Sequence, residues 1–180
     1  RTSPGRLYVG VMPQGHTPLT AMVHLSAALL QSAEDVPLSE SGADAYWTLV
    51  AYHNSLRELG KSVTLAHDDI PSRIAVISET EDGLRNLPSD SIIELTSQVR
   101  PAEIPGKIET LKKLKGQDAA ASFVASSNMI SVGVDVPRLG LMVIVGQPKT
   151  TSEYIQASSR VGRSSPGLVV TLFSPSKPRD

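Results

Sequence analysis

Three short apolar runs constrain this chain most: residues 122–125 (Ser-Phe-Val-Ala), 141–145 (Leu-Met-Val-Ile-Val) and 168–173 (Leu-Val-Val-Thr-Leu-Phe). A strand with one face in water alternates apolar and polar residues, because successive side chains point to opposite faces. These runs do not alternate, which fits strands of a parallel sheet covered on both faces. Parallel neighbours need crossover connections, and those are usually right-handed helices. The chain therefore reads as α/β, with a doubly wound, mostly parallel sheet flanked by helices.

The rest of the chain alternates accordingly. Residues 7–12 are short and apolar, bounded by Gly5 and Pro13, and read as a strand. Thr17-Pro18 reads as an N-cap followed by proline at the first helical position. Residues 19–31 are nearly apolar on all sides and suggest a largely buried helix. Residues 34–44 are acidic, with Pro, Ser and Gly, and read as an exposed loop. Residues 46–52 are a strand candidate, and Asn54-Ser55 reads as the cap of a helix reaching to about residue 68, with Gly60 weakening its centre. Residues 73–78 fit a strand or a helix equally. Residues 91–95 read as a strand and 101–115 as a helix, and the tail 174–180 reads as a linker. Three spans result: 1–45, holding the first strand, the buried helix and the acidic loop; a core, 46–173; and the tail, 174–180.

Composition narrows function by exclusion. Seventeen Lys and Arg against eighteen Asp and Glu give a net charge of −1, which excludes a uniformly basic nucleic-acid binder. Any nucleic-acid contact must then be local. With no Cys there is neither a disulfide framework nor a thiolate metal site. His16, His24, His53 and His67 have no metal-ligand spacing, and all four read as structural or exposed. No apolar run approaches the length of a membrane span. The chain begins at Arg1 with no initiator Met and reads as a piece of something longer.

The segment 150–163 carries the chemistry. Thr150 and Glu153 have capping-box spacing and open a helix. On that helix Gln156, Arg160 and Arg163 stand at i, i+4 and i+7, which at about 100° per residue is one narrow stripe. Two guanidiniums and an amide on one stripe make an anion-facing surface with forked donors suited to phosphate. Gly162 lets the last turn end, so that Arg163 projects from the helix terminus. The alternative is a solvated helix face. Upstream lie Ser127, Asn128, Gly133, Asp135 and Pro137, placed before the apolar run 141–145.

Together these stretches resemble motifs V and VI of superfamily 2 helicases. Motif V is a small hydroxyl residue, then Gly-aliphatic-Asp-aliphatic-Pro, matched by Ser127, Gly133, Asp135 and Pro137. Motif VI is Gln, two residues, Gly, Arg, one residue, Gly, Arg, matched by Gln156, Arg160, Gly162 and Arg163, with Ser159 in place of the first Gly. The resemblance covers residues 46–173. The segments 6–15 and 54–60 further resemble bacterial helicase-like proteins related to the helicase subunit of DISARM phage defence.

The resemblance implies the second of two RecA-like lobes of an ATP-dependent helicase or translocase. Arg163 is then the arginine finger, Arg160 its companion phosphate contact, and Gln156 a partner of the γ-phosphate or the attacking water. Asp135 accepts from the ribose hydroxyls, and Gly133 permits close backbone approach to the nucleotide. Ser127 and Asn128 contact strand phosphates, with Thr96, Ser97, Asn54 and Ser55 as weaker contacts of the same kind. Three of these assignments have plainer alternatives: an ion pair within the lobe for Arg160, a turn or cap residue for Asp135, and helix capping for Ser127 and Asn128.

The chain holds no Gly-x-x-x-x-Gly-Lys-[Ser/Thr] and no Asp-Glu-x-[Asp/His]. The resemblance assigns both, with most of the hold on ATP and Mg2+, to a first lobe, so this lobe alone is expected to be inactive. Expected partners are that first lobe, DNA or RNA held through phosphates, and defence-complex subunits, in a cytoplasmic protein. A helicase-like scaffold that has lost hydrolysis is the alternative, and the intact Gln156, Arg160 and Arg163 argue against it.

Overall fold

Thr17 accepts from the Thr20 amide and Pro18 opens helix α1 (Pro18–Asp35), so the expected cap and proline start are both present. The computed structural model describes residues 4–127 and 135–177; Asn128 and Gly133 lie outside the described residues. Preceding α1 is strand β1 (Arg6–Val11). Then follow α2 (Glu40–Trp47), β2 (Leu49–His53), α3 (Leu56–His67), α4 (Asp69–Ile77) and β3 (Ile92–Leu95). The chain continues through α5 (Ile104–Lys112), β4 (Phe123–Ser126), β5 (Leu141–Val145), α6 (Thr151–Ser158) and β6 (Gly167–Leu172).

Among the described residues the strands form one six-stranded sheet in the order β1-β6-β5-β2-β4-β3. Every pairing is parallel. The continuous apolar runs are the inner strands: β4 is buried along its whole length, as is β5 up to Val145, and β6 is buried except at Leu168. Apolar layers lie on both faces. Leu30, Leu49, Ile70, Phe123 and Val143 pack with α1, α3 and α4 on one; Val50, Val124, Met142, Val161 and Val169 pack on the other. Among the described residues no helix is long and apolar enough to cross a membrane.

Of residues 34–44, expected as an exposed loop, only 36–39 are exposed and outside a helix. Helix α1 runs on to Asp35, and Ser39 caps α2 by accepting from the Gly42 amide. Two acids of this stretch have partners distant in sequence. Asp44 pairs with Arg138 at 3.3 Å, and Glu34 with Lys115 at 3.0 Å and the buried Arg85 at 3.5 Å. Tyr46 and Trp47 accordingly belong to α2, and the strand begins at Leu49. Arg85 also donates to the Trp47 carbonyl and the Ser122 hydroxyl, and its guanidinium lies over the Trp47 ring. Burial pushes its pKa down to about 9, against the opposing pull of Glu34.

The ambiguous residues 73–78 fall mostly in α4. Residues 101–115 form a single turn of 3₁₀ helix, Pro101–Glu103, and then α5, which stops at Lys112. In the tail, Lys177 pairs with Glu58 of α3 at 2.8 Å and Ser174 is buried, so the described part of the presumed linker lies against the sheet domain.

Candidate functional site

Parallel α/β sheets bind ligands outside the carboxyl ends of their strands, where neighbouring connections depart in opposite directions. Here that point lies between β2, whose connection leads to β3, and β5, whose connection leads to β6. A cleft of about 290 Å3 opens there, lined by residues that include Asn54, Ser55, Ser97, Ser127, Lys149 and Glu153. Each lies at or just after the end of a strand or just before or in α6. Asn54 is fixed by the amide of its side chain, which donates to the carbonyls of Val145, Gly146 and Gln147 at 3.0–3.3 Å. Ser55 caps α3 by accepting from the Glu58 amide. Its capping role and its place in the cleft coexist.

The cleft thus collects four of the six hydroxyl and amide residues singled out for strand contact. Thr96 is not among its lining residues. It is fully buried, donates to Glu94 Oε1 and accepts from the Gln98 amide, which shapes the turn that presents Ser97. The cleft also contains residues the motifs do not name. Lys149 brings a positive charge, and its only sequence signal was a cation just before a helix cap. Burial, with Glu153's charge adding, raises the pKa of the Tyr52 phenol.

The arginine turn is built differently from the expected helical stripe. The capping box of Thr150 and Glu153 is present, but α6 ends at Ser158. Ser158 and Ser159 explain this: their hydroxyls donate back to the carbonyls of Ile155 and Gln156. Such bonds compete with the helical ladder. The Arg160 amide then reaches Ala157 in a tighter turn, at 3.0 Å. Arg160 and Arg163 therefore stand on a turn beyond the helix, while Gln156 is exposed on the helix itself and bonds Ser152.

Gly162 sets the course of that turn. Its φ is +71°, and its amide donates to the Leu139 carbonyl at 2.8 Å. A Cβ here would stand 2.8 Å from the Gly167 Cα, so glycine is required for both conformation and space. Arg6, from the edge strand, donates through Nε to the Val161 carbonyl at 2.7 Å and through Nη2 to the Ser159 carbonyl at 3.4 Å. Arg163 Nε donates to the same Ser159 carbonyl at 3.1 Å, and its Nη1 donates to the Asp135 carboxylate. Motif V's acid and motif VI's last arginine are therefore in direct contact. Arg160, three residues before Arg163, is half-buried.

The model of the helicase conserved C-terminal domain matches residues 56–165. The chain is 48% identical to the DISARM protein DrmA of Bacillus paralicheniformis, over 98% of this chain and 16% of that protein. It thus spans about a sixth of that relative's length. Among solved structures it is similar to the DUF1998 helicase MrfA bound to DNA and AMPPNP. The TM-score is 0.68 at 16% identity, over 97% of this chain and 21% of that one. It is also similar to domain 2 of the DEAD-box helicase Mss116p bound to an RNA duplex. There the TM-score is 0.64 at 12% identity, over 94% and 54% of the two chains. At such identities the structural likeness is one of fold. With motif VI in order on a RecA-like sheet, and the family model spanning most of it, the chain belongs to the helicase conserved C-terminal domain family.

Proposed function

We propose that this chain is the second lobe of an ATP-dependent nucleic-acid helicase or translocase of superfamily 2, and that it acts on a nucleotide held mainly by a first lobe. The observation that carries the reading is the contact between Asp135 and Arg163, two residues 28 apart in sequence. One is assigned by resemblance to the ribose and the other to the γ-phosphoryl group of one ATP. A guanidinium that already holds a carboxylate is suited to hold a phosphoryl anion, which presents the same pair of acceptor oxygens.

In this reading Arg163 stabilises charge that develops on the γ-phosphoryl oxygens, Arg160 is its companion contact, and Gln156 orients the γ-phosphate or the attacking water. Gly133 gives the nucleotide room. The reading leaves Mg2+ to the first lobe. The cleft of Asn54, Ser55, Ser97, Ser127 and Lys149 takes a nucleic-acid strand by its phosphates, and the resemblance assigns Asn128 a contact of the same kind. Such contacts position a strand without reading its sequence. The similarity to structures bound to DNA and to RNA supports a nucleic-acid partner of either kind. The kinship with DrmA supports assembly with defence-complex subunits.

The test compares the full-length protein with this chain alone. The full-length protein is expected to hydrolyse ATP faster when nucleic acid is added, and the purified chain is expected to hydrolyse none. Stimulated hydrolysis by the chain alone would sink the second-lobe reading. No hydrolysis by the full-length protein would make the scaffold reading the better one.

A further inference from the structure

Gly167 stands opposite Arg6 in the pairing of β1 with β6. Residues opposite each other in a sheet send their side chains to the same face. With no side chain at Gly167, the Arg6 stem can cross β6. Its Cγ lies 3.3 Å from where a Cβ on Gly167 would stand and 3.1 Å from where one on Gly162 would stand. The guanidinium thereby reaches the turn that carries Arg160 and Arg163, and forks over it. Nε donates to the Val161 carbonyl at 2.7 Å, the shorter and stronger bond, and Nη2 to the Ser159 carbonyl at 3.4 Å.

These bonds complete a frame around the turn. The Val161 carbonyl and the Gly162 amide belong to one planar peptide unit. Arg6 holds the carbonyl, and the amide donates to the Leu139 carbonyl at 2.8 Å, so the plane is pinned at both edges. The Val161 side chain is fully buried, which anchors the same unit in the core. The Ser159 carbonyl accepts from Arg6 Nη2 and also from Arg163 Nε at 3.1 Å, using both of its lone pairs. Arginines often bind the carbonyls that a helix leaves open at its end, and a cap of that kind needs one bond. Here the fork spans two carbonyls, and one of them also holds the Arg163 side chain. The grip therefore fixes a direction as well as an end.

We propose that Arg6 is a positioning residue for Arg163: its fork on the Ser159 and Val161 carbonyls sets the line along which the Arg163 side chain leaves the turn. The inference rests on the reading of Arg163 as the arginine finger. Arg6 itself acts through the backbone and makes no contact with the nucleotide. Alignment is worth this much structure because a displacement of about 1 Å at a reacting group can cost roughly 10²-fold in rate.

The test is ATP hydrolysis by the full-length protein carrying Arg6→Met, which keeps the stem and removes the donors, or Arg6→Lys, which keeps the charge and removes the fork. Arg6→Met is expected to lower kcat by roughly 10–100-fold with KM for ATP within about twofold of the parent, since only alignment in the transition state is lost. Arg6→Lys should recover little, because one ammonium lacks the planar fork. Added to Arg163→Ala, Arg6→Met should cost no more than about threefold further, since a residue that acts through Arg163 then has nothing left to align. Three results would each overturn the proposal: a parental kcat for Arg6→Met, full recovery by Arg6→Lys, or multiplication of the two losses in the double variant, as a merely structural role would give. If Arg6→Met fails to fold, Arg6→Lys decides alone: a parental kcat overturns the proposal, and a lowered kcat at unchanged KM supports it. A parental kcat for Arg163→Ala would sink the finger reading itself. A low kcat for Arg163→Ala beside a parental kcat for Arg6→Met would sink this inference only.

Discussion

The Arg163 guanidinium is held at two points: Nε by the Ser159 carbonyl and Nη1 by the Asp135 carboxylate. The first hold is to backbone and fixes where the side chain leaves the turn. The second is to a side chain that is 63% exposed, so it is easily exchanged for another anion. An ion pair this exposed adds little to stability. Function and folding are therefore separable at both residues.

Arg163→Ala in the full-length protein is expected to cut kcat for ATP hydrolysis by roughly 10³–10⁵ and to change ATP binding little, because a finger acts mainly in the transition state. Arg163→Lys should recover little, since an ammonium lacks the planar fork. Stopped-flow binding and single-turnover hydrolysis measure the two steps separately. Hydrolysis within a few-fold of the parent would show that the turn does not face the nucleotide.

Asp135→Ala should raise the apparent KM for ATP by up to about 2–3 kcal/mol in binding terms, through lost hydrogen bonds to a charged acceptor. Its exposure predicts a thermal midpoint close to that of the parent. A lowered midpoint with unchanged KM would make Asp135 a structural turn residue instead.

Two glycines should respond oppositely to the same change. Gly162→Ala forces a Cβ into a left-handed residue and against the Gly167 backbone, and should destabilise the chain by about 2 kcal/mol or more. Gly60 lies inside α3, and a Cβ there meets nothing within 4 Å, so Gly60→Ala should stabilise by about 0.5–1 kcal/mol. Urea midpoints of the two variants check both signs. Similar shifts in one direction would contradict the geometry.

His53 makes stability depend on pH. Its pKa is about 4 in the folded chain against 6.5 when free, so below pH 6.5 the unfolded state takes up a proton that the folded state refuses. Stability should therefore fall as pH drops from about 6.5 to about 4, by up to roughly 3 kcal/mol. Urea unfolding between pH 7.5 and pH 4.5 should show a flatter dependence for His53→Leu than for the parent. Comparing the two removes the background from Glu58 and the other carboxylates. Parallel curves would mean that His53 is not held neutral.

What was legible in the sequence was whatever local chemistry decides. The apolar runs gave the inner strands because burial on both faces leaves no room for alternation. Thr17, Ser55 and Thr150 marked helix starts because a cap needs only its own hydroxyl and the next turn. Helix α2 was hidden because the partner that ties its Asp44 into the fold, Arg138, lies 94 residues away. The end of α6 was misplaced because periodicity does not register serines that bond back to their own helix. In the cleft, Asn54, Ser55, Ser97 and Ser127 could be named from motif positions. His53 and Lys149 could not, since their roles come from which strand ends lie side by side.

Arg6 gives the assembly of this lobe an order. Its guanidinium grips the carbonyls of Ser159 and Val161, about 155 residues downstream. Among the described residues its strand pairs with β6, the last strand of the sheet in chain order. A contact spanning nearly the whole chain carries a heavy loop-closure cost and tends to form late. The arginine turn thus acquires its final shape only when the two extremities of the domain have met. A fragment trimmed to residues 56–165 would keep both motif VI arginines yet lack the strap that aims them.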